Sequence, residues 1–345
     1  MTTRIGLCGV GSVGAHVARL LLDHRQGAEI VAAVTKAEGD IGRPLHEVVG
    51  ADTPGPVISD SIEDLLAQGP EVVALCTGSF LPDVVADIEA CASAGADVVS
   101  PCEELAFPFL RDPTNAARLD AAAKQGGVTI LGTGLNPGFI FDGLLAAASG
   151  ACWDVQSVRG RRALNPIGFG ENIHLRLGIG YTREEFDEGH AGGKIAGHVG
   201  FPESIELVCA RMGLELDAPV EQIFEPAIAE ADVPTKYGTI RAGYSEGFTQ
   251  RAIGRVAGRD FITLELVIHL RAEEVGYSIS DNFELEGKQP MHLTMDPGMD
   301  PLLATSAQIV NSIPAIRAAT PGLKAVTDLP APAAWLGDIG AIEIR

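Results

Sequence analysis

Residues 5–22 read IGLCGVGSVGAHVARLLL, and the reading of the fold starts from the three glycines in the middle of it. Gly9, Gly11 and Gly14 have the spacing G-x-G-x-x-G, directly after an apolar run (residues 5–10) and at the opening of a helical pattern (residues 13–22). In that context each glycine has a mechanical task. Gly9 permits a tight turn, Gly11 lets the backbone come close to a pyrophosphate, and Gly14 allows a helix to pack tightly on a strand. The helix would then offer the free N–H groups of Ser12 and Val13, and its positive dipole end, to phosphates. The bland alternative is a glycine-rich strand-to-helix turn that binds nothing.

Working outward, strand-like runs at residues 30–34, 72–76, 98–100 and 129–131 alternate with helical stretches at 81–94 and 114–125. Repeated βα units of this kind predict an α/β Rossmann domain, a doubly wound parallel sheet. Beyond Asn136-Pro137-Gly138 the pattern changes. Strand-like runs at 155–163 and 172–179 precede a glycine-rich stretch (189–200) and an amphipathic helix near 203–212, followed by strand-like runs at 261–270, 276–285 and 290–295. This predicts a second, α+β domain on a largely antiparallel sheet. A last helix is expected at 302–319, with Pro321-Gly322 as its stop signal.

Composition restricts the partners. The chain has 345 residues, enough for about two domains, and a net charge of −21 without any Lys/Arg-rich block, which argues against nucleic acid. No run of about 18 uncharged apolar residues appears, so no membrane span is expected. The apolar opening carries His16 and Arg19 and does not read as a signal sequence, so a cytoplasmic protein is expected. Cys8, Cys76, Cys91, Cys102, Cys152 and Cys209 are scattered, without a C-x-x-C pair or zinc spacing. Reduced, mostly buried thiols and no metal are expected.

The end of the second strand bears on the cofactor. Where an NAD enzyme usually places Asp or Glu, this chain has Thr35 and Lys36, which suit a 2′-phosphate. NADP is therefore expected, with Arg43 a lesser contact, and Glu38 nearby keeps NAD open. Cys76, Thr77 and Gly78 end another parallel strand at the carboxyl edge of the sheet, where ligands bind in such folds. Asn136 and Pro137 form a turn at the same edge.

The chemical signal follows the strand at 98–100. Glu103 and Glu104 sit at that edge, where a carboxylate can serve as general base or acid. Equally, acids in the first turn of a helix simply complement its dipole. His198 and Lys194 in the glycine-rich stretch could meet a substrate or remain solvated, and the arginines at 159, 161 and 162 could bind a carboxylate or face water.

Taken together, GVGSVG (9–14), VVSPCEELAFP (98–108), GTGLNPGFIFD (132–142), GHVGFPES (197–204) and IVNSIPAIRAATPGLKAVTDLP (309–330) resemble the 2,4-diaminopentanoate dehydrogenase family and the related native amine dehydrogenases, within the dihydrodipicolinate reductase-like group. The resemblance implies a Rossmann domain from residues 1–138 and 302–345 and a substrate-binding and dimerisation domain from 139–301. It implies a homodimer, reversible oxidative deamination of an amine to a small ketone or aldehyde and ammonia with NAD(P), and catalysis by Glu104, with Glu103 as its neighbour. Phe139 and His198 are the substrate-side candidates.

Departures from related patterns keep other readings open. The His-His and Lys-x-Asp-x-Pro-Ser-Gly-Thr segments of dihydrodipicolinate reductase are absent. The segment RGRRALNPIGFGENIHLRLGIG (159–180) lacks the lysine-rich stretch of the diamino acid enzymes, which argues for a neutral substrate over a diamino acid. A non-catalytic NADP-binding sensor is the rival from another class. An alcohol dehydrogenase would need a Tyr-x-x-x-Lys pair or zinc ligands, and neither is present.

Overall fold

In a computed structural model the chain is described at residues 2–195 and 197–341. It divides into two compact units, the first of residues 1–144 and 300–345 and the second of residues 145–299. Residue 196 of the glycine-rich stretch and residues 342–345 of the expected first domain lie outside the described residues.

In the first unit, β1 (Thr3–Cys8) is followed by α1 (Ser12–His24), β2 (Ala28–Val34), α2 (Leu45–Val49), β3 (Ile58–Ser59) and α3 (Ile62–Ala67). Then come β4 (Val72–Leu75), α4 (Leu81–Ser93), β5 (Asp97–Ser100), α5 (Pro113–Gly126), β6 (Thr129–Gly132) and α6 (Gly143–Ser149), at whose first residues the unit breaks off.

The second unit contains β7 (Ser157–Leu164), α7 (Glu171–Arg176), α8 (Arg183–Ala191), α9 (Phe201–Arg211) and the strands β8 (Glu221–Ile228), β9 (Val233–Thr235), β10 (Gly238–Ile240), β11 (Ser245–Val256), β12 (Arg259–His269), β13 (Asp281–Glu286) and β14 (Met291–Met295). The chain returns to the first unit with α10 (Pro301–Ala318) and β15 (Gly322–Lys324).

The first sheet runs β15-β6-β5-β4-β1-β2-β3, every neighbouring pair parallel. Strand order reverses between β1 and β4, which opens a crevice at their carboxyl ends. Both faces are covered, as a parallel sheet requires. On one face Val17 and Leu21 of α1 and Ile309, Val310 and Ile313 of α10 pack on Ile5, Leu7 and Val99. On the other, Leu81, Val85 and Ile88 of α4 and Leu119 of α5 pack on Val73, Leu75 and Ile130.

The second sheet has the order β14-β13-β7-β12-β11-β8. Only the β7–β12 pair is parallel, so the sheet is mixed and mostly antiparallel. The expected α/β plus α+β architecture is therefore the one observed.

Three expected elements differ. The run at 172–179 is not a strand but the helix α7, in which the His174 and Leu177 N–H groups bond the carbonyls of Gly170 and Ile173 at 3.1 and 2.9 Å. Its apolar alternation misleads because Ile173 and Leu175 are 47% and 46% exposed, while His174, bonded through Nε2 to the Pro166 carbonyl, is the buried residue. The helix near 203–212 is not amphipathic over most of its length: every residue from Phe201 to Cys209 is buried, including Glu203 and Glu206. The strand expected at 276–285 begins only at Asp281, because Gly276 closes a turn at φ +94°. The strands β3, β8, β9, β10, β11 and β15 were not expected, and Pro321-Gly322 leads into the last of them.

All six cysteines are free thiols. Among the described residues no helix is long and apolar enough to cross a membrane, and no cluster of His, Cys, Asp and Glu could hold a metal ion.

Candidate active site

The glycine turn is seated between two strands. The Gly9 N–H donates to the Val34 carbonyl at 2.9 Å, and the Cys76 N–H donates to the Cys8 carbonyl at 2.6 Å. Gly9 has φ +94°, and a Cβ there would stand 2.5 Å from the Cys76 carbonyl oxygen. A Cβ on Gly14 would stand 1.9 Å from the Gly9 oxygen, so helix and turn touch only because both residues are glycine. Gly11 is different. A Cβ there meets nothing within 4 Å, and it stands at the N-terminus of α1, which has neither a side-chain cap nor an acid in its first turn. An unfilled space in front of uncapped N–H groups suits a phosphate, and the residues present fit a dinucleotide.

A cleft of about 540 Å³ opens at this edge. It brings together Gly9, Gly11, Thr35, Lys36, Cys76 and Thr77, as the sequence suggests. Ser12, Val13 and Gly14 continue from the turn into α1, and Gly78 follows Thr77, but these four are not among its lining residues. Asn136 and Pro137 are not either. Arg43 does not line it: its guanidinium pairs with Asp40 at 3.0 Å. Lys36 is exposed and Thr35 is buried, the Thr35 hydroxyl accepting the Ala37 N–H at 3.3 Å.

The cleft also contains Asp60, Ser61 and Glu63, which sequence reasoning missed. The signal was available, since VISDSIED (57–64) is another strand-to-helix turn, with Ser61 capping α3 by accepting the Asp64 N–H. The Ser61 hydroxyl donates to Glu63 at 2.8 Å and holds that carboxyl below its ordinary value. Burial pushes the Cys8 thiol up to about 12 and raises that of Cys76, so neither is a thiolate nucleophile.

Glu103 and Glu104 lie in one 3₁₀ turn, residues Glu103–Ala106, after β5. The turn rests on the end of β6, where a Cβ on Gly132 would come within 2.6 Å of the Leu105 carbonyl oxygen. Three hydrogen bonds join it to the loop after β4. The Glu104 N–H donates to the Ser79 carbonyl at 3.1 Å, the Leu81 N–H donates to Glu104 Oε2 at 2.8 Å, and the Ser79 hydroxyl donates to Glu103 Oε1 at 3.2 Å. Phe80, the N-cap residue of α4, provides no side-chain cap. Glu104 therefore caps a helix remote in sequence, and Oε1 has no hydrogen-bond partner among the described residues.

At the same sheet edge, the segment after β6 is tightly held. The Thr133 N–H bonds the Ser100 carbonyl at 2.9 Å, Leu135 donates to the Thr305 hydroxyl at 3.1 Å, and buried Asp142 accepts the N–H groups of Gly138 and Gly143 at 2.7 and 2.6 Å. Asn136 precedes a cis Pro137, and its buried Oδ1 has no partner among the described residues. Such an orphaned acceptor is costly unless a ligand meets it. Phe139 is half-buried just beyond.

In the second unit, Gln250 clamps the backbone of His198, accepting its N–H at 2.6 Å and donating to its carbonyl at 2.7 Å, and the ring packs edge-on against Phe201 at 4.6 Å. Lys194 lies over the Tyr181 ring at 5.0 Å. Arg161 pairs with Glu265 at 2.5 Å, and Arg162 is buried against Asp281.

Comparison with known proteins finds relatives over most of the chain. Residues 139–344 match the profile of the 2,4-diaminopentanoate dehydrogenase C-terminal domain. The chain is 34% identical to 2,4-diaminopentanoate dehydrogenase of Acetoanaerobium sticklandii over 97% of its length and 95% of that protein. It is 25% identical to an amine dehydrogenase of Streptomyces virginiae over 76% of this chain and 74% of the other. Its fold matches the structure of amine dehydrogenase from Mycobacterium smegmatis with a TM-score of 0.84 over 98% of both chains, at 26% identity. The chain belongs to the 2,4-diaminopentanoate dehydrogenase family.

Proposed function

We propose that the protein is a nicotinamide-dependent amine dehydrogenase that interconverts a small ketone or aldehyde, with ammonia, and the corresponding primary amine, and that Glu104 is its catalytic carboxylate. The observation that carries this reading is the hydrogen bond from Leu81 N–H to Glu104 Oε2, which fixes the carboxylate at the sheet edge and leaves Oε1 for chemistry. The relatives' names favour amine chemistry over reduction of other bonds.

The cofactor, when bound, supplies or accepts the hydride. Gly9, Gly11, Ser12 and Val13 would hold its pyrophosphate, with Gly14 letting α1 pack against the turn, Cys76, Thr77 and Gly78 would lie along it, and Asn136 and Pro137 would face its nicotinamide end. Thr35 and Lys36 would bind a 2′-phosphate, which favours NADP over NAD.

In the aminating direction Glu104 takes a proton from ammonium, and the freed ammonia adds to the carbonyl carbon. A proton of the adduct's ammonium group passes to its alkoxide oxygen to give the carbinolamine, and the carboxyl then returns its proton to that hydroxyl, so that water leaves and an iminium ion remains to accept the hydride. Glu103 adds negative charge beside the cation. Phe139, half-buried at the same sheet edge, contributes to the substrate side.

The diamino acid substrate of the Acetoanaerobium relative's name is the second reading; the absence of lysines from residues 159–180 disfavours it. We further assign a homodimer to the open face of the second sheet. That face carries Arg159, Arg161 and Arg251 beside Glu265 and Glu284, a mixture of charges that can pair with itself about a two-fold axis. The test of function is nicotinamide absorbance with NADPH or NADH, ammonium and a panel of short carbonyl compounds, beside Glu104→Ala. Oxidation that requires ammonium and vanishes in the variant is the expected result. Oxidation without ammonium, or activity retained in the variant, overturns the reading.

A further inference from the structure

We propose that Ser79 is a positioning residue for the amination step, holding the Glu103–Glu104 pair at the edge where the cofactor binds. A serine just before a helix ordinarily turns its hydroxyl oxygen to the helix N–H groups as an acceptor. Ser79 does not cap α4; its hydroxyl is a donor to Glu103 Oε1 at 3.2 Å, and the first helix N–H, that of Leu81, is taken by Glu104 instead.

The backbone of Ser79 is used as well, its carbonyl accepting the Glu104 N–H at 3.1 Å. One residue thus fixes the main chain of one glutamate and the side chain of the other. Ser79 also ends the short segment that begins with Cys76 and Thr77 at the cofactor cleft, so the carboxylates and the cofactor share one support.

Holding both carboxylates this way limits their rotamers before ammonium arrives, and such preorganisation affects binding and reaction of the cation more than binding of the other partners. The inference rests on the amination chemistry proposed above.

Its test is steady-state kinetics with NADPH, ammonium and an accepted carbonyl compound, together with NADPH binding followed by fluorescence, for the parent, Ser79→Ala and Ser79→Thr. A hydrogen bond to a charged group is lost in Ser79→Ala, so the KM for ammonium rises by about 10- to 100-fold. The KM for the carbonyl compound and the Kd for NADPH stay as they were. Ser79→Thr, which keeps a hydroxyl, restores most of the loss. An unchanged KM for ammonium in Ser79→Ala overturns the proposal, as do equal losses for all three ligands or failure of a folded Ser79→Thr to rescue. If the parent binds NADPH but shows no ammonium-dependent turnover, the amine dehydrogenase reading itself fails, and the role of Ser79 falls with it.

Discussion

The Leu81 N–H points at the carboxylate of Glu104, 2.8 Å away and 23 residues distant in sequence, so the side chain assigned to the chemistry is also the cap of a helix. The two roles can be separated. Glu104→Gln keeps an acceptor for Leu81 but cannot take a proton. Its melting temperature should stay near that of the parent while turnover falls by about 10²- to 10⁴-fold. Glu104→Ala should lose turnover and, in addition, about 1 kcal/mol of stability from the missing cap. Thermal unfolding beside the nicotinamide assay checks both; a Gln variant that keeps its turnover would falsify the assignment.

Two glycines of one motif should behave in opposite ways. Gly11 has open space where a Cβ would go, so Gly11→Ala should unfold like the parent yet bind NADPH at least about tenfold more weakly, because the methyl occupies the phosphate approach. At Gly14 the same methyl would stand 1.9 Å from the Gly9 oxygen, and the fold should lose about 1–3 kcal/mol or more. Denaturant titrations and cofactor titrations of the two variants distinguish these outcomes.

For the cofactor preference, Lys36 is exposed on the cleft and free of an ion-pair partner among the described residues. Lys36→Ala should weaken NADPH by about tenfold, with NADH little changed, and the difference should shrink in high salt. Equal weakening of both cofactors would remove the 2′-phosphate from the account.

Asp97 provides a pH test at the opposite end of β5. Burial pushes its carboxyl up to about 6, although the Thr129 N–H at 2.7 Å and the nearby Arg317 favour the charged form. A folded-state value above the unfolded one means that the folded chain binds the proton more tightly. The contribution to stability is therefore present below about pH 4 and is lost as pH rises through about 6. Asp97→Asn keeps an acceptor for Thr129 and removes the charge. It should gain on the order of 1–3 kcal/mol over the parent at pH 7.5 and nothing at pH 4, as read from unfolding curves at the two pH values. A gain that is the same at both would mean that the ionisation of Asp97 does not matter.

The first sheet was legible because its strands are uniformly apolar and bounded by glycine or polar residues, as at 5–10 and 72–76. Strands of two or three residues, such as Ile58–Ser59 and Gly322–Lys324, leave no periodic signal; partners from distant sequence define them. The run at 172–179 failed for another reason, since alternation marks a strand only if one side is buried throughout, and here Ile173 and Leu175 are exposed while Leu177 and Ile179, past the helix, pack inward. At the site, the glycines could be read from local spacing, and Glu103 and Glu104 as a pair of acids at the sheet edge, whereas the choice of Glu104 rests on the family resemblance. The link from Ser79 to Glu103 could not, because the two residues are 24 apart and meet only after the parallel sheet forms.

The order of the first sheet has a consequence for how the chain is made. β15 pairs with β6, and Ile309, Val310 and Ile313 of α10 cover one sheet face, yet all of these follow the whole second unit in sequence. A nascent chain emerging from the ribosome therefore carries an unfinished sheet, with an open edge on β6 and bare apolar side chains, while some 155 further residues are synthesised. During that interval the growing polypeptide should depend on chaperones, and a product stopped before residue 300 should aggregate rather than persist as an independent dinucleotide-binding domain.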